Sequence, residues 1–272
     1  MAKQEVYTHG HHSSVVAQHA ARTAENSAAF LLPSLRPGDR LLDVGCGPGS
    51  ITAGLARHVG PEGHVTAVDV SEEVISLARE ATAGLENVTC LAASVYELPC
   101  EPGTFNVAYA HQTLQHLVDP VGALRAMQKA VRQGGLIAVR DVDYSTMFGH
   151  PMSKGIEEWR RIYRATCHRN GAEPDAGRHL VHWMREAGIP LENITYTVSA
   201  VAYGPSDETF RRNWGLAWAE RSLKSNFAKQ AVEYGIATWE ELEAVSAAWR
   251  EWADNPESVF YYVNGEVLAR VP

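Results

Sequence analysis

The residues best placed to do chemistry lie in Leu41–Thr52, LLDVGCGPGSIT. An apolar run meets Asp43, and Gly45, Gly47 and Gly49 then alternate with Cys46 and a proline. Glycines after a strand permit a tight turn at positive φ, and they admit a ligand where a Cβ would clash. A helix opening behind them offers free backbone N–H groups. The plain alternative is an ordinary strand-to-helix turn. The spacing departs from the dinucleotide fingerprint G-x-G-x-x-G, because the third glycine arrives one residue early. Asp43 would also repel a pyrophosphate, whereas a ligand carrying an ammonium or sulfonium suits it.

Asp69 ends the apolar stretch of VTAVDVS, twenty residues after Gly49. An acid at the end of a second strand accepts both hydroxyls of a ribose; its plain alternative is a helix cap. Adenosine with no phosphate over the glycines, plus a cationic tail, describes S-adenosylmethionine (SAM). LLDVGCGPGS, VTAVDVS and the stretch from Tyr96 to Asp141 together resemble the class I SAM-dependent methyltransferases. Within these, the chain is similar to the ubiquinone/menaquinone C-methyltransferases, and to an actinobacterial and fungal small-molecule subgroup through YTHGHH…RTAENSA and GEVLARV.

The resemblance implies a set of roles. Gly45, Cys46, Gly47 and Gly49 would lie under the methionine and adenosine. Asp43 would face the amino group, Asp69 would hold the ribose and Val70 would pack on adenine. Ser94 and Val95 would flank the adenine edge, with Ser94 standing where many relatives carry Asp. His111 would follow the fourth strand near the methionine. It is also the leading general base, with His11 or His12 as alternatives if the arm folds over the cleft. Tyr144 and Asp143 close the fifth strand on the ligand side and are expected to reach the acceptor, while Asp141 and His116 read as structural. The HGHH arm has no second ligand cluster, so no metal is expected.

These residues need a parallel, doubly wound sheet to bring them together. Strands are expected at Arg40–Val44, His64–Val68, Val88–Ala92, Phe105–Ala110 and Leu136–Asp141, with helical stretches between them. A helix from about Ser13 should end at Pro33. After Asp141 come helical segments near Lys154–Arg169 and Gly177–Ala187, then a strand at Ile194–Tyr203. The helical block Ser206–Asp254 follows, holding five of the seven tryptophans, before a last strand. The expected fold is therefore α/β, a Rossmann-like seven-stranded sheet with a helical cap inserted before the final strand. Its parts are 1–33 (arm and helix), 34–150 (SAM-binding core) and 151–272 (remaining sheet and cap, about 206–254). The arm and cap are expected to roof a largely apolar, small-molecule pocket.

A net charge of −8 and the lack of a basic tract weigh against nucleic acid. The stretch AHQT, where a nucleic-acid methyltransferase would carry an N-P-P-Y-type tetrapeptide, weighs the same way. No apolar run is long enough for a membrane span. Four scattered cysteines fit a reducing cytoplasm. The expected partner is a small-molecule acceptor, and a homodimer is compatible. A nucleic-acid methyltransferase and a methyltransferase-fold cyclase or binding protein stand as alternatives.

Overall fold

The computed structural model describes Thr8 and residues 22–272. His11, His12 and the start of the expected N-terminal helix lie outside the described residues. Thr23 and Asn26 form a reciprocal capping box that opens α1 (Ala24–Ser27). Pro33 falls in a separate 3-10 turn, Leu32–Ser34. Thr23 thus opens a new helix inside the stretch expected to be one helix, and that helix ends at Ser27, ahead of Pro33.

Seven strands make one sheet in the order β3-β2-β1-β4-β5-β7-β6. Strands β1 (Arg40–Val44), β2 (His64–Asp69), β3 (Val88–Ala92), β4 (Phe105–His111) and β5 (Val131–His150) are parallel. Strand β7 (Val259–Arg270) runs antiparallel between β5 and β6 (Ile194–Tyr203). The remaining helices are α2 (Ser50–Val59), α3 (Glu72–Ala81), α4 (Pro120–Ala130), α5 (Lys154–Arg169), α6 (Leu180–Glu186), α7 (Glu208–Lys224), α8 (Asn226–Glu233) and α9 (Trp239–Asp254).

Neighbouring strand residues point to opposite faces. Leu41, Tyr109 and Ala138 pack with α1 and α2, while Leu42, Ala110 and Val139 pack with α4 and α6. Both faces are covered, which explains why these strands read as near-continuous apolar runs.

Strand β5 outruns its expected end at Asp141. It pairs with β7 as far as His150, across a register shift between Asp143 and Phe148. This extension carries a second core above the carboxyl edge of the sheet. Trp159 of α5, Trp218 of α7, and Trp249 and Trp252 of α9 are all buried there, against Tyr144, Tyr203 and Phe260. Trp159 meets the rings of Trp218 and Trp249 edge-on, with centroids at 4.5 and 5.0 Å. The cap is therefore larger than the block Ser206–Asp254, because α5 lies at its centre. Buried Arg211 donates to the carbonyls of Trp252, Ala253 and Asn255 and so closes the end of α9. The arm touches the cap at Thr8, whose hydroxyl accepts from the Asn170 side chain at 2.9 Å.

Trp159→Ala should cost about 3–5 kcal/mol by leaving a cavity among rings that cannot collapse. Urea unfolding followed by circular dichroism checks this, and a loss under 1 kcal/mol would mean the cap does not depend on this ring.

Candidate active site

The strand order reverses direction at β1, which has β2 on one side and β4 on the other. Chains leaving the carboxyl ends of β1 and β4 diverge there and open a crevice. The glycine loop occupies it. The backbone N–H groups of Gly45 and Cys46 both donate to the Val68 carbonyl, at 2.8 and 3.0 Å, and pin the loop to β2.

The three glycines of the loop have different jobs. A Cβ on Gly45 would lie 2.3 Å from the hydroxyl of Thr113, and one on Gly49 would lie 2.8 Å from the Ala78 backbone in α3. These two positions allow close packing behind the loop. At Gly47, also at positive φ, a Cβ would meet nothing within 4 Å. Only Gly47 presents its open side to the crevice. The Cys46 side chain lies beneath, in a small core with Ala67, Ile75, Ala78 and Cys90, and burial pushes its thiol pKa up.

Asp43 is buried under the loop and accepts a 2.6 Å hydrogen bond from the Thr52 hydroxyl. Burial, with a lesser push from Asp69, raises its pKa to about 7 against the Thr52 bond, which lowers it. Asp69 accepts from the backbone N–H of Gly47 and of Ser71, each at 3.2 Å. The next side chain, Val70, is 78% exposed. An apolar side chain held that far out beside a carboxylate forms a ledge for a flat ring. The Ser94 hydroxyl accepts from Tyr96 N and caps a 3-10 turn, Val95–Glu97. The Val95 side chain is packed into the sheet core and leaves only its backbone toward the crevice.

Around β4 and β5 the structure shows the surroundings of several expected site residues. His111 is buried beside Tyr109, with parallel rings 6.4 Å apart. Burial first, then Arg22 and Arg140, hold its pKa well below the usual histidine range. It is a poor general base at neutral pH, although its Nδ1 is a buried atom without a hydrogen-bond partner. Burial and Arg22 lower the His116 pKa to about 3. Tyr144 stacks on Tyr163 at 4.5 Å, and burial raises its pKa, which favours the protonated hydroxyl. Asp143 takes both arms of the Arg178 guanidinium and is a structural anchor. Asp141 accepts from Gln115 N at 3.2 Å, and burial raises its pKa to about 8. Among the described residues no group of three or more side chains could hold a metal ion.

Above this edge a small open cleft lies between sheet and cap. Its polar lining is Arg22, Gln112, Gln115, His116 and Arg221. Its apolar and aromatic lining is Val142, Tyr144, Met147, Trp214, Trp218 and Tyr262. The pocket is thus half polar rather than largely apolar. Arg22, Gln112 and Arg221 had no local signal that set them apart: an arm arginine, a residue after β4 and an arginine inside a helix. Gln112 sits at φ 50°, the one positive value outside glycine among the described residues. It accepts from Arg22 and donates to Asn264.

A family model described as a methyltransferase domain matches residues 35–188. An uncharacterized methyltransferase of Schizosaccharomyces pombe is 31% identical over 97% of this chain and 96% of its own. This chain belongs to the methyltransferase domain family. The demethylmenaquinone methyltransferase of Staphylococcus aureus is 28% identical over 62% of this chain and 77% of its own. The crystal structure of the [4+2]-cyclase SpnF shares the fold, with TM-score 0.54 and 21% identity over 95% of this chain and 80% of that one. The enzyme is a methyltransferase of the SAM-dependent class, and the open side of Gly47 beside Asp69 and Val70 fits that cofactor. No helix among the described residues is long and apolar enough to cross a membrane.

Asp43 makes stability depend on pH. Its folded pKa of about 7 lies above the ordinary 3.8, so between these values the folded state keeps a proton that the unfolded state has lost. Stability therefore falls as pH rises through that window. Asp43→Asn should remove this slope, so the variant gains on the unliganded parent between pH 5 and pH 8, by on the order of a few kcal/mol. Denaturation at both pH values checks this; an equal difference at both would place the titration elsewhere.

Proposed function

We propose that this methyltransferase moves the methyl group of SAM onto a small organic acceptor seated between the sheet edge and the tryptophan-rich cap. The observation that carries the reading is the position of the cleft, walled by the sheet, the chain just before α1 and the cap. A cleft enclosed on those three sides suits a small molecule better than a polymer.

When bound, the cofactor supplies a methyl group on a positively charged sulfur, already activated for transfer. The chain's own task is to hold, align and exclude water. Asp69 would accept the ribose hydroxyls, and Val70 would support the adenine. Gly47 would leave room above the loop. Asp43, fixed by Thr52, would provide negative potential for the amino group, and Arg22, tied to Gln112, would face the carboxylate. His111 Nδ1, buried and unpartnered, would accept or donate one hydrogen bond on the same side. The cap rings would seat the acceptor and shed its water.

S-adenosylhomocysteine should bind in calorimetry. Asp69→Ala should weaken it by about 1.5–3 kcal/mol, the range for hydrogen bonds to a charged group. Gly47→Val should abolish binding, at a stability cost of about 1–2 kcal/mol for a left-handed side chain. Unchanged affinity in both variants would overturn the site. Incubation with labelled SAM and fractionated small metabolites should label a low-mass product; label appearing only in nucleic acid or protein would overturn the acceptor class.

A further inference from the structure

The two margins of the sheet are built differently. Strand β3 closes one of them with only five residues. Strand β6 closes the other with ten, ITYTVSAVAY, paired to β7 without a break in register. No described strand pairs with the outer side of β6. None of its ten residues is charged or a proline, in a chain that is 21% charged. Sheet edges are normally guarded by shortness, charge, proline or a bulge, because their free N–H and C=O groups accept any arriving strand. This edge has none of those guards. Tyr196, Val198, Ala200 and Ala202 share one face of β6, and all four are exposed. On the same face the register sets Tyr261 of β7 beside Ala202, and Phe148 of β5 beside Tyr261. Both rings are exposed, with centroids 6.4 Å apart, and the Arg160 guanidinium lies 5.4 Å from the Phe148 centroid. Tyrosine, phenylalanine and arginine are residues that protein interfaces collect.

We propose that β6 joins two copies of this chain, pairing antiparallel with its own copy about a two-fold axis at Ser199. The two sheets then run on as one. Residues opposite each other in an antiparallel pair share a face, so the axis has to pass through a residue rather than between two. Centred on Ser199, the stretch Thr195–Tyr203 pairs with itself throughout. Tyr196 then faces Ala202 of the second copy, and Val198 faces Ala200. Each larger side chain meets an alanine, so the exposed face is its own complement. Moving the axis one residue loses this match on the same face: centred on Val198, that side chain meets itself, and centred on Ala200, two alanines meet. On the other face Thr197 comes opposite Val201 and Thr195 opposite Tyr203, pairs of the kind that stabilise sheets. A charge on a self-pairing strand would be brought near its own copy, and β6 carries none. The strand is also held in place from within. The Ser199 hydroxyl donates to Glu266 at 2.5 Å, and that carboxylate accepts from Thr197 and from Arg140 of β5.

A ladder of that extent is about 30 Å long. Such a contact belongs to the small end of specific interfaces, near about 1,200 Å² in total, where micromolar affinity is expected. Sedimentation velocity of the full chain between about 1 and 100 µM tests this, and the parent should pass from monomer to dimer across that range. Val198→Lys should raise the dissociation constant at least about tenfold, because the two lysines would be diagonal neighbours across the axis. Thr89→Lys places the same charge on the β3 margin and should leave the dimer as it was. Both variants should keep the circular dichroism of the parent. Register is read by cysteine pairing. Opposite positions of an antiparallel pair lie within disulfide reach. An equal mixture of the Val198→Cys and Ala200→Cys proteins should therefore cross-link between copies under mild oxidation, well beyond either protein alone. If Val198→Lys fails to fold, this mixture decides in its place. A parent that stays monomeric at the top of the range, a dimer that ignores Val198→Lys, or cross-linking no greater in the mixture than in the single variants would overturn the proposal.

Discussion

Everything at the ligand edge depends on the close approach of Thr113 to Gly45. The Thr113 hydroxyl donates to the Val44 carbonyl at 3.2 Å and fills the space where any other residue at position 45 would place its Cβ. It locks the exit of β4 against the exit of β1. With that contact made, the loop turns back toward β2, where Val68 and Asp69 hold its backbone. Gly49 then meets α3, and Gly47 is left facing outward. One tight contact between adjacent strands fixes which glycine is available to a ligand.

The same edge tolerates charges that a stability optimum would avoid. Asp43 and Asp141 are buried with raised pKa values, and Gln112 holds a strained backbone angle. Such costs concentrate where ligand binding repays them. The Arg140–Glu266 pair, buried with Ser199 and Thr197 around the carboxylate, shows the other solution. There, each charge is met inside the protein, and the group serves to join β5, β6 and β7.

The acid, the glycines and the strand rhythm were legible because each signal is local: a loop needs its glycines, and a buried parallel strand needs its apolar run. Individual roles were less legible. Gly45 and Gly49 look like Gly47 in sequence and differ only by what packs behind them, Thr113 and Ala78. His111 looked accessible because chain order put it near the ligand edge, but packing buries it beside Tyr109. Trp159 stood apart from the tryptophan block in sequence, and only packing places it at that block's centre. The arm arginine and the cap arginine are 199 residues apart in number, and no periodicity joins them.

The long reach of β5 and β7 shapes how this enzyme could change over time. Strands continuous with the sheet carry the cap past its edge, with the paired register running on to His150 and Val259. A roof mounted on such rails is not free to swing, because tilting it would break the ladder beneath. The segments matched by the family end at residue 188, before β6 and the last three helices, so they include the glycine loop and α5 but not α7. Among the cap helices, α7 supplies Trp214, Trp218 and Arg221 to the cleft. Its inner face can therefore vary without touching the contacts that set the geometry of the glycine loop.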